Sequence, residues 1–501
     1  MSRTAAPKAN PEALLREGAP VSRSMRGGVA GRGHPIVVAL VFAEIISSFE
    51  ASMIYAALPT LMRDFGDPAG VGWLITAYLL VGSVSAGLSS RLGDLFGRKR
   101  LVLAMLACSA SGSLVSALSS GLPGLVCGRA LQGMSAALLP LAIGIVRERL
   151  RAERVPVAVG WLTAMATFSA GAGLLLGGLL VDHAGWRTMF WFGTVHGVVA
   201  MVLVARWVPA SAATAAAARV DWIGGMLYAP ALAALLWAVS RLKAHGLDDA
   251  ATLAALAGGV LLLALWWRHE WRHAQPMIDV RRIATRKVGL PIGLMFLFGL
   301  GTSQTMLVLM ALAQQPSWTG IGLGLSATMA GLLKLPSNFM GLFGAPWGGH
   351  LAARHGARSA ARLATLMILA GWIGLTALHS SAWMLVGWVM LASLGGAMLM
   401  SAVPNLLVEV VPGERTSEFV GLAQVVRTLG TAIGTQAASV LLALAVVRGG
   451  TQPQAVYPSA DAYLWTMAAI TGVCVLCGLL AWALPRRAVR FADSEGRAVM
   501  A

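Results

Sequence analysis

Ser90-Arg91-Leu92-Gly93-Asp94-Leu95-Phe96-Gly97-Arg98-Lys99-Arg100 is a short basic corner between two long apolar runs, and a second copy of it decides how the chain is organised. Leu351-Ala352-Ala353-Arg354-His355-Gly356-Ala357-Arg358 holds the same place between two later runs, and Gly356 stands 259 residues after Gly97. Glycine at that point lets the chain turn tightly between two helices. A repeat of this kind divides the chain into two related sets. Runs of about 20 apolar residues cross a hydrocarbon layer. They fall at 36–58, 71–90, 101–119, 122–146, 157–181 and 188–208, and again at 288–313, 323–348, 360–379, 382–408, 418–447 and 462–484. Two further runs, 222–240 and 250–268, fill the gap between the sets. The expected fold class is an all-α polytopic membrane protein of 14 transmembrane helices, two six-helix halves plus two inserted helices.

Composition supports lipid as the solvent. The 501 residues are 57% hydrophobic and 12% charged, with mean hydropathy +0.73. A soluble domain carries about 25% charged residues, so this chain has too few to give a protein of its size a polar surface. The net charge of +17 does not point to nucleic acid, because the basic residues sit in short loops. There they read as topology signals and as contacts for anionic headgroups. With the N-terminal tail inside, the inner loops hold Arg98-Lys99-Arg100, Arg147, Arg149, Arg151, Arg154, Arg268, Arg272, Arg281 and Arg282. The outer loops are poor in Lys and Arg, apart from Arg241 and Lys243, which places both termini in the cytoplasm. The expected domains are a disordered tail at 1–34, a first half at 35–208, inserted helices and linker at 209–287, a second half at 288–484 and a tail at 485–501. Cys108, Cys127, Cys474 and Cys477 all lie in apolar runs and read as small packing residues, not as a metal or redox site.

Charges inside the runs mark candidate function, because in hydrocarbon they face the bundle interior and need partners. Glu50, in Phe49-Glu50-Ala51-Ser52-Met53-Ile54-Tyr55-Ala56-Ala57-Leu58-Pro59, is the first candidate proton carrier or counter-charge for a cationic substrate. Glu44 is the second, about 120° around the helix from it. Arg129 and Gln132, in Gly128-Arg129-Ala130-Leu131-Gln132-Gly133, share a face. A carboxylate, Glu50 or Glu44, is the natural partner for that guanidinium, and parting the pair would couple proton uptake to shape change. Lys334, mid-run with Asn338 one turn later, is expected to face a substrate cavity. Gln132, Gln304 and Arg427 are further lining candidates.

These stretches resemble the major facilitator superfamily, and within it the fourteen-helix drug:proton antiporter family, over about residues 36–484. Glu50 stands where the family's first-helix motif has Asp. The Ser90-to-Arg100 corner is similar to the superfamily's loop signature, with Ser90 for its first glycine and Leu95 for a basic residue. The resemblance implies a conformational latch of Asp94, Gly97 and Arg98, with Glu148 as a third member. Ala353 replaces the acid in the second copy, so an asymmetric latch is expected. Arg129, Gln132 and Gly133 match the family's helix-four motif. Gly160, Gly173, Gly177 and Gly178 keep the spacing of its helix-five antiporter motif, but Ser169 replaces a glycine and Leu174 replaces the proline.

The function so implied is proton-coupled efflux of drugs or natural products by alternating access, with a role in antibiotic resistance. The resemblance implies no enzyme activity and no cofactor beyond the proton motive force. It implies a small amphipathic substrate, membrane lipid as the other partner, no nucleic acid, and a monomer in a bacterial inner membrane. Lys334, Arg427 and the altered helix-five motif keep open a uniporter or importer of an anionic metabolite or siderophore-like molecule. A non-transporting membrane sensor is the remaining alternative.

Overall fold

The computed structural model describes residues 33–65, 68–210, 221–245, 248–273, 276, 278–325, 327–378, 381–448, 456–485, 490–492 and 498–500. Most of both expected tails lies outside the described residues. The first set of helices is α1 (Gly33–Phe65), α2 (Pro68–Phe96), α3 (Arg98–Leu118), α4 (Leu122–Arg149), α5 (Val155–Ala184) and α6 (Arg187–Trp207). The inserted pair is α7 (Trp222–His245) and α8 (Ala250–Arg272). The second set is α9 (Arg286–Gln314), α10 (Ala327–His355), α11 (Ala357–Ala377), α12 (Ala382–Val410), α13 (Thr416–Leu444) and α14 (Ala460–Ala483). Twelve described helices are long and apolar enough to cross a membrane. Helices α7 and α10, of 24 and 29 residues, bring those of spanning length to 14. The chain is an all-α polytopic membrane protein.

The helices depart from the apolar runs where side-chain hydropathy is a poor guide to the backbone. Helix α1 continues past the run to Phe65. A helix keeps its backbone hydrogen bonds within itself whatever its side chains, so it need not stop where the apolar residues do. Helices α4 and α9 each contain a tighter 3-10 turn, at Met134–Ala137 and Thr302–Gln304. A short antiparallel hairpin, β1 (Val446–Arg448) and β2 (Val456–Pro458), caps the far end of α13, with Val447 opposite Tyr457.

The two sequence corners are the same structure. Gly97 has φ +100° and Gly356 has φ +83°, a region that L side chains avoid. The Gly97 amide donates to the Gly93 carbonyl and the Gly356 amide to the Ala352 carbonyl, each at 3.0 Å. The halves meet reciprocally: α2 packs on α13, and α5 packs on α10. The second helix of each set therefore meets the fifth of the other, as parallel repeats about an axis along the membrane normal require. The inserted helices pack on each other, and α7 rests on α2 and α13. At the tip of this pair Asp249 accepts from the Thr252 amide at 2.9 Å and from Arg241 at 2.9 Å. The Thr252 hydroxyl and Arg241 together hold its carboxyl down to about 2. This contact occupies Arg241, one of the two basic residues expected in the outer loops.

Small residues set the closest helix approaches. A Cβ on Gly160 would lie 2.8 Å from the Ala345 carbonyl of α10, and one on Gly177 would lie 2.8 Å from the Met53 carbonyl of α1. Gly173 faces Ser52 and Phe49 of α1, whereas a Cβ on Gly178 would meet nothing within 4 Å. Gly177→Leu is expected to destabilise the detergent-solubilised protein by about 1–3 kcal/mol through overpacking. Gly178→Ala is expected to stay within about 0.5 kcal/mol of wild type. Equal melting temperatures for the two variants would mean that the α1–α5 contact is not set by Gly177.

Candidate functional site

Between the halves lies a cavity of about 500 Å³. Helices α1, α2, α4 and α5 wall it on one side and α9, α10, α12 and α13 on the other. Its apolar surface comes from residues such as Leu79, Leu139, Phe298, Met306 and Met400; its polar surface includes Ser47, Thr163, Asn338 and Gln424. Among the described residues, three charged side chains line it: Glu44, Lys334 and Arg427.

Each charge is held differently. The Lys334 ammonium donates to the Ser337 hydroxyl at 2.5 Å, and that hydroxyl donates to the Lys334 carbonyl at 2.7 Å. Arg427 Nε donates to Gln424 Oε1 at 3.1 Å, one turn back on α13. Glu44 is 4% exposed, and its Oε2 has no hydrogen-bond partner among the described residues. A carboxyl in that position can be satisfied by water, a proton or a cationic group entering the cavity.

Glu50 points elsewhere, as its offset around α1 dictates. Its carboxylate accepts from the Ser109 hydroxyl at 2.7 and 2.8 Å, from Ser113 at 2.9 Å and from Ser135 at 3.2 Å. Arg129 does not pair with this carboxylate. Its Nη1 donates to the main-chain carbonyl of Glu50 at 2.8 Å and to Gln132 Oε1 at 2.8 Å, and its Nε donates to the Leu74 carbonyl at 3.1 Å. The guanidinium also lies 4.4 Å from the centre of the Tyr78 ring. Gln132 passes the network on by donating to Ser113 at 2.7 Å. The reason is reach: Ser109 and Ser113 lie on one face of α3 opposite Glu50 and satisfy the carboxylate first. That Ser-x-x-x-Ser pair is the functional signal that the sequence reading passed over.

Of the residues expected in the cavity, Lys334, Asn338 and Arg427 line it. Gln132 belongs to the Arg129 network. Gln304 is buried between α9 and α13, donating to the Gly299 and Thr431 carbonyls at 3.0 and 3.1 Å.

The basic end of the bundle is closed across the halves. Arg98 donates to the Gly144 carbonyl at 2.8 Å and to the Gly413 carbonyl, in the α12–α13 loop, at 2.5 Å. It also lies 3.7 Å from Glu148. Arg147 donates to Val411 O at 2.7 Å and to Thr416 Oγ1 at 2.6 Å. The side chain of Asp94, the expected acid of this latch, lies outside the described residues. In the second set Arg362 donates to the Trp482 carbonyl of α14 at 2.8 Å, a bond within its own half.

Two helical halves related by an internal repeat, closed on each other at one end and enclosing a cavity of mixed apolar and polar lining, form a membrane transporter. The chain belongs to the Major Facilitator Superfamily, whose family model matches residues 40–311 and 290–498. It is a transporter and not an enzyme. It is 28% identical over 427 residues to the tetracenomycin C resistance and export protein of Streptomyces glaucescens, covering 84% of this chain and 78% of that protein. It is 28% identical over 390 residues to the multidrug resistance protein Stp of Mycobacterium tuberculosis, covering 77% and 71%. The solved human organic anion transporter MFSD10 (TETRAN) matches with a TM-score of 0.63 at 16% identity, over 90% of this chain and 99% of that one, which shows a shared fold.

Arg98→Ala removes charged hydrogen bonds that close the basic end, a loss on the order of 2 kcal/mol. A cysteine at Gly413, where an added Cβ meets nothing within 4 Å, reports the opening. Its labelling by a membrane-impermeant maleimide is expected to rise on the order of tenfold in the Arg98→Ala background. An unchanged rate would show that Arg98 does not hold this end shut.

Proposed function

We propose that the protein is a proton-coupled exporter of small amphipathic natural products or drugs. It works by alternating access as a monomer in a bacterial cytoplasmic membrane, with both termini inside and no cofactor. The observation that carries this reading is the cavity between the halves, where Glu44 is the sole carboxylate among the described lining residues and faces a mixed apolar and polar wall. Similarity to resistance and export proteins supports the outward direction. Glu44 takes the proton-carrying role, because it reaches the cavity and Glu50 does not. Glu50 and Arg129 hold α1 in register with α2, α3 and α4. One charge crossing 100 mV provides about 2.3 kcal/mol, roughly a 50-fold gradient.

Helix α5 supplies a second support and a difference from the family pattern. It runs unbroken from Val155 to Ala184 with Leu174 in place of the proline. Its small residues still bring it against α10 and α1, so the moving seam is kept without a kink.

In everted vesicles with an imposed pH gradient, Glu44→Gln is expected to lower gradient-driven transport at least tenfold while leaving substrate exchange without a gradient. Lys334→Ala is expected to change KM across a panel of substrates more than the response to the gradient. Gradient-driven transport that survives in Glu44→Gln would remove Glu44 from the coupling step. Wild-type transport that ignores both the gradient and an uncoupler would favour a uniporter for anions, the reading that Lys334 and Arg427 support.

A further inference from the structure

We propose that Asp221, His269 and His273 form a binding site for one divalent transition-metal ion of the zinc or cobalt type, at the basic end of the inserted helix pair. The site lies apart from the transport cavity and does not depend on the function proposed above. Asp221 immediately precedes α7, while His269 and His273 lie one turn apart at the end of α8. Two histidines at i and i+4 share a helix face and can grip one ion.

The geometry is close to that of a ligated site. One donor atom from each residue falls in a group whose members all lie within 4.8 Å of one another. His269 Nε2 is 2.9 Å from Asp221 Oδ2, and His273 Nδ1 is 3.7 Å from the same oxygen. The two imidazoles stack at 5.2 Å with 30° between their planes. In a tetrahedral site with bonds of about 2.0–2.1 Å, neighbouring ligand atoms lie about 3.3 Å apart. The separations of the two imidazole nitrogens from Asp221 Oδ2 straddle that value, so the acid stands at ligating distance from both rings. Water would complete the fourth position. The bond between His269 and Asp221 gives way to the ion: the His269 proton moves to Nδ1 and Nε2 offers its lone pair.

The acid of the site is buried beside a second carboxyl. The Asp221 side chain is 2% exposed and Glu270 is fully buried. A Cβ on Gly224 would lie 2.5 Å from Glu270 Oε1 and 2.7 Å from Asp221 Oδ2, so these carboxylate oxygens are within about 5 Å of each other. A divalent ion held by Asp221 would place positive charge beside this pair.

The outer shell and the access route are also present. The Gly224 amide donates to Asp221 Oδ1 at 2.8 Å and leaves Oδ2 for the ion. Trp266 Nε1 donates to Glu270 Oε1 at 3.0 Å. An open cleft lined by Leu227, Leu265, Arg268 and Arg272 reaches both histidines and gives an entry path. The flanking arginines keep the entrance polar.

The ion would pin the start of α7 to the end of α8. It would also brace the linker beyond, where the Ile278 amide donates to Glu270 at 3.3 Å and the Asp279 amide donates to Glu418 of α13 at 2.8 Å.

The test uses the full chain in detergent, without a polyhistidine tag, stripped with a chelator and titrated with cobalt(II). The expected result is one cobalt per chain with the strong visible absorption of a tetrahedral site, displaced by zinc. His273→Ala is expected to weaken binding by about 10–100-fold and to alter the spectrum, and His196→Ala, on α6, to leave both unchanged. If Asp221→Asn fails to purify as a monodisperse species, His273→Gln at the exposed helix end carries the test. Absence of cobalt binding by the wild type, or equal stoichiometry and affinity in the His269→Ala/His273→Ala double variant, would overturn the proposal.

Discussion

The first half of this transporter depends on a guanidinium that has no water to turn to. Arg129 is 1% exposed and cannot shed its charge, so its donors must be met by protein. It meets them with the carbonyls of Glu50 on α1 and Leu74 on α2 and with Gln132 on its own helix. Tyr78 stacks on it and donates its own hydroxyl back to the Ser47 carbonyl of α1 at 2.9 Å. The Glu50 carboxylate then gathers Ser109 and Ser113 from α3. Two buried charges that never touch thus fix four helices in register. A direct ion pair would have spent both groups on each other and joined only α1 to α4.

That division of labour explains the two glutamates of α1. Glu50 is already surrounded by hydroxyl donors and does not line the cavity. Glu44, on another face, lacks a donor at Oε2 and meets the cavity, where Lys334 and Arg427 stand on the opposing half. Among the described residues the cavity therefore has one carboxylate on one wall and two cations on the other. A molecule bound there is read by both halves at once, which is the requirement for binding to bias their relative position.

Much of the architecture was legible in the sequence, because hydropathy and the Gly97–Gly356 repeat act over long stretches. The inserted pair was legible from length alone. Lys334 was placed in the cavity on the argument that a mid-run lysine cannot face lipid, and it lines the cavity. The partner of Arg129 was not legible. A sequence shows that a charge must be met, but two main-chain carbonyls and an amide oxygen meet Arg129 as well as a carboxylate does, and the serines that meet Glu50 carry little signal inside an apolar helix. Gln304 was misplaced for a related reason: an amide lines a cavity or bridges helices with equal ease, and only the close approach of α9 to α13 decides. The 3-10 turns in α4 and α9 arise from local backbone geometry that periodicity does not encode.

The resting place of α7 makes the two seams between the halves unlike. The α2–α13 seam lies beneath the inserted pair, with Tyr228 of α7 against Gly87 of α2. Among the described residues, the α5–α10 seam has no such cover from the insert. A compound dissolved in the bilayer therefore meets the boundary between the halves along one flank, between α5 and α10. On the other flank it meets a protein splint. The insert gives a pseudo-symmetric machine a handedness towards the membrane: lateral pressure and lipid tails act on one hinge line, and the opposite hinge line is shielded from them.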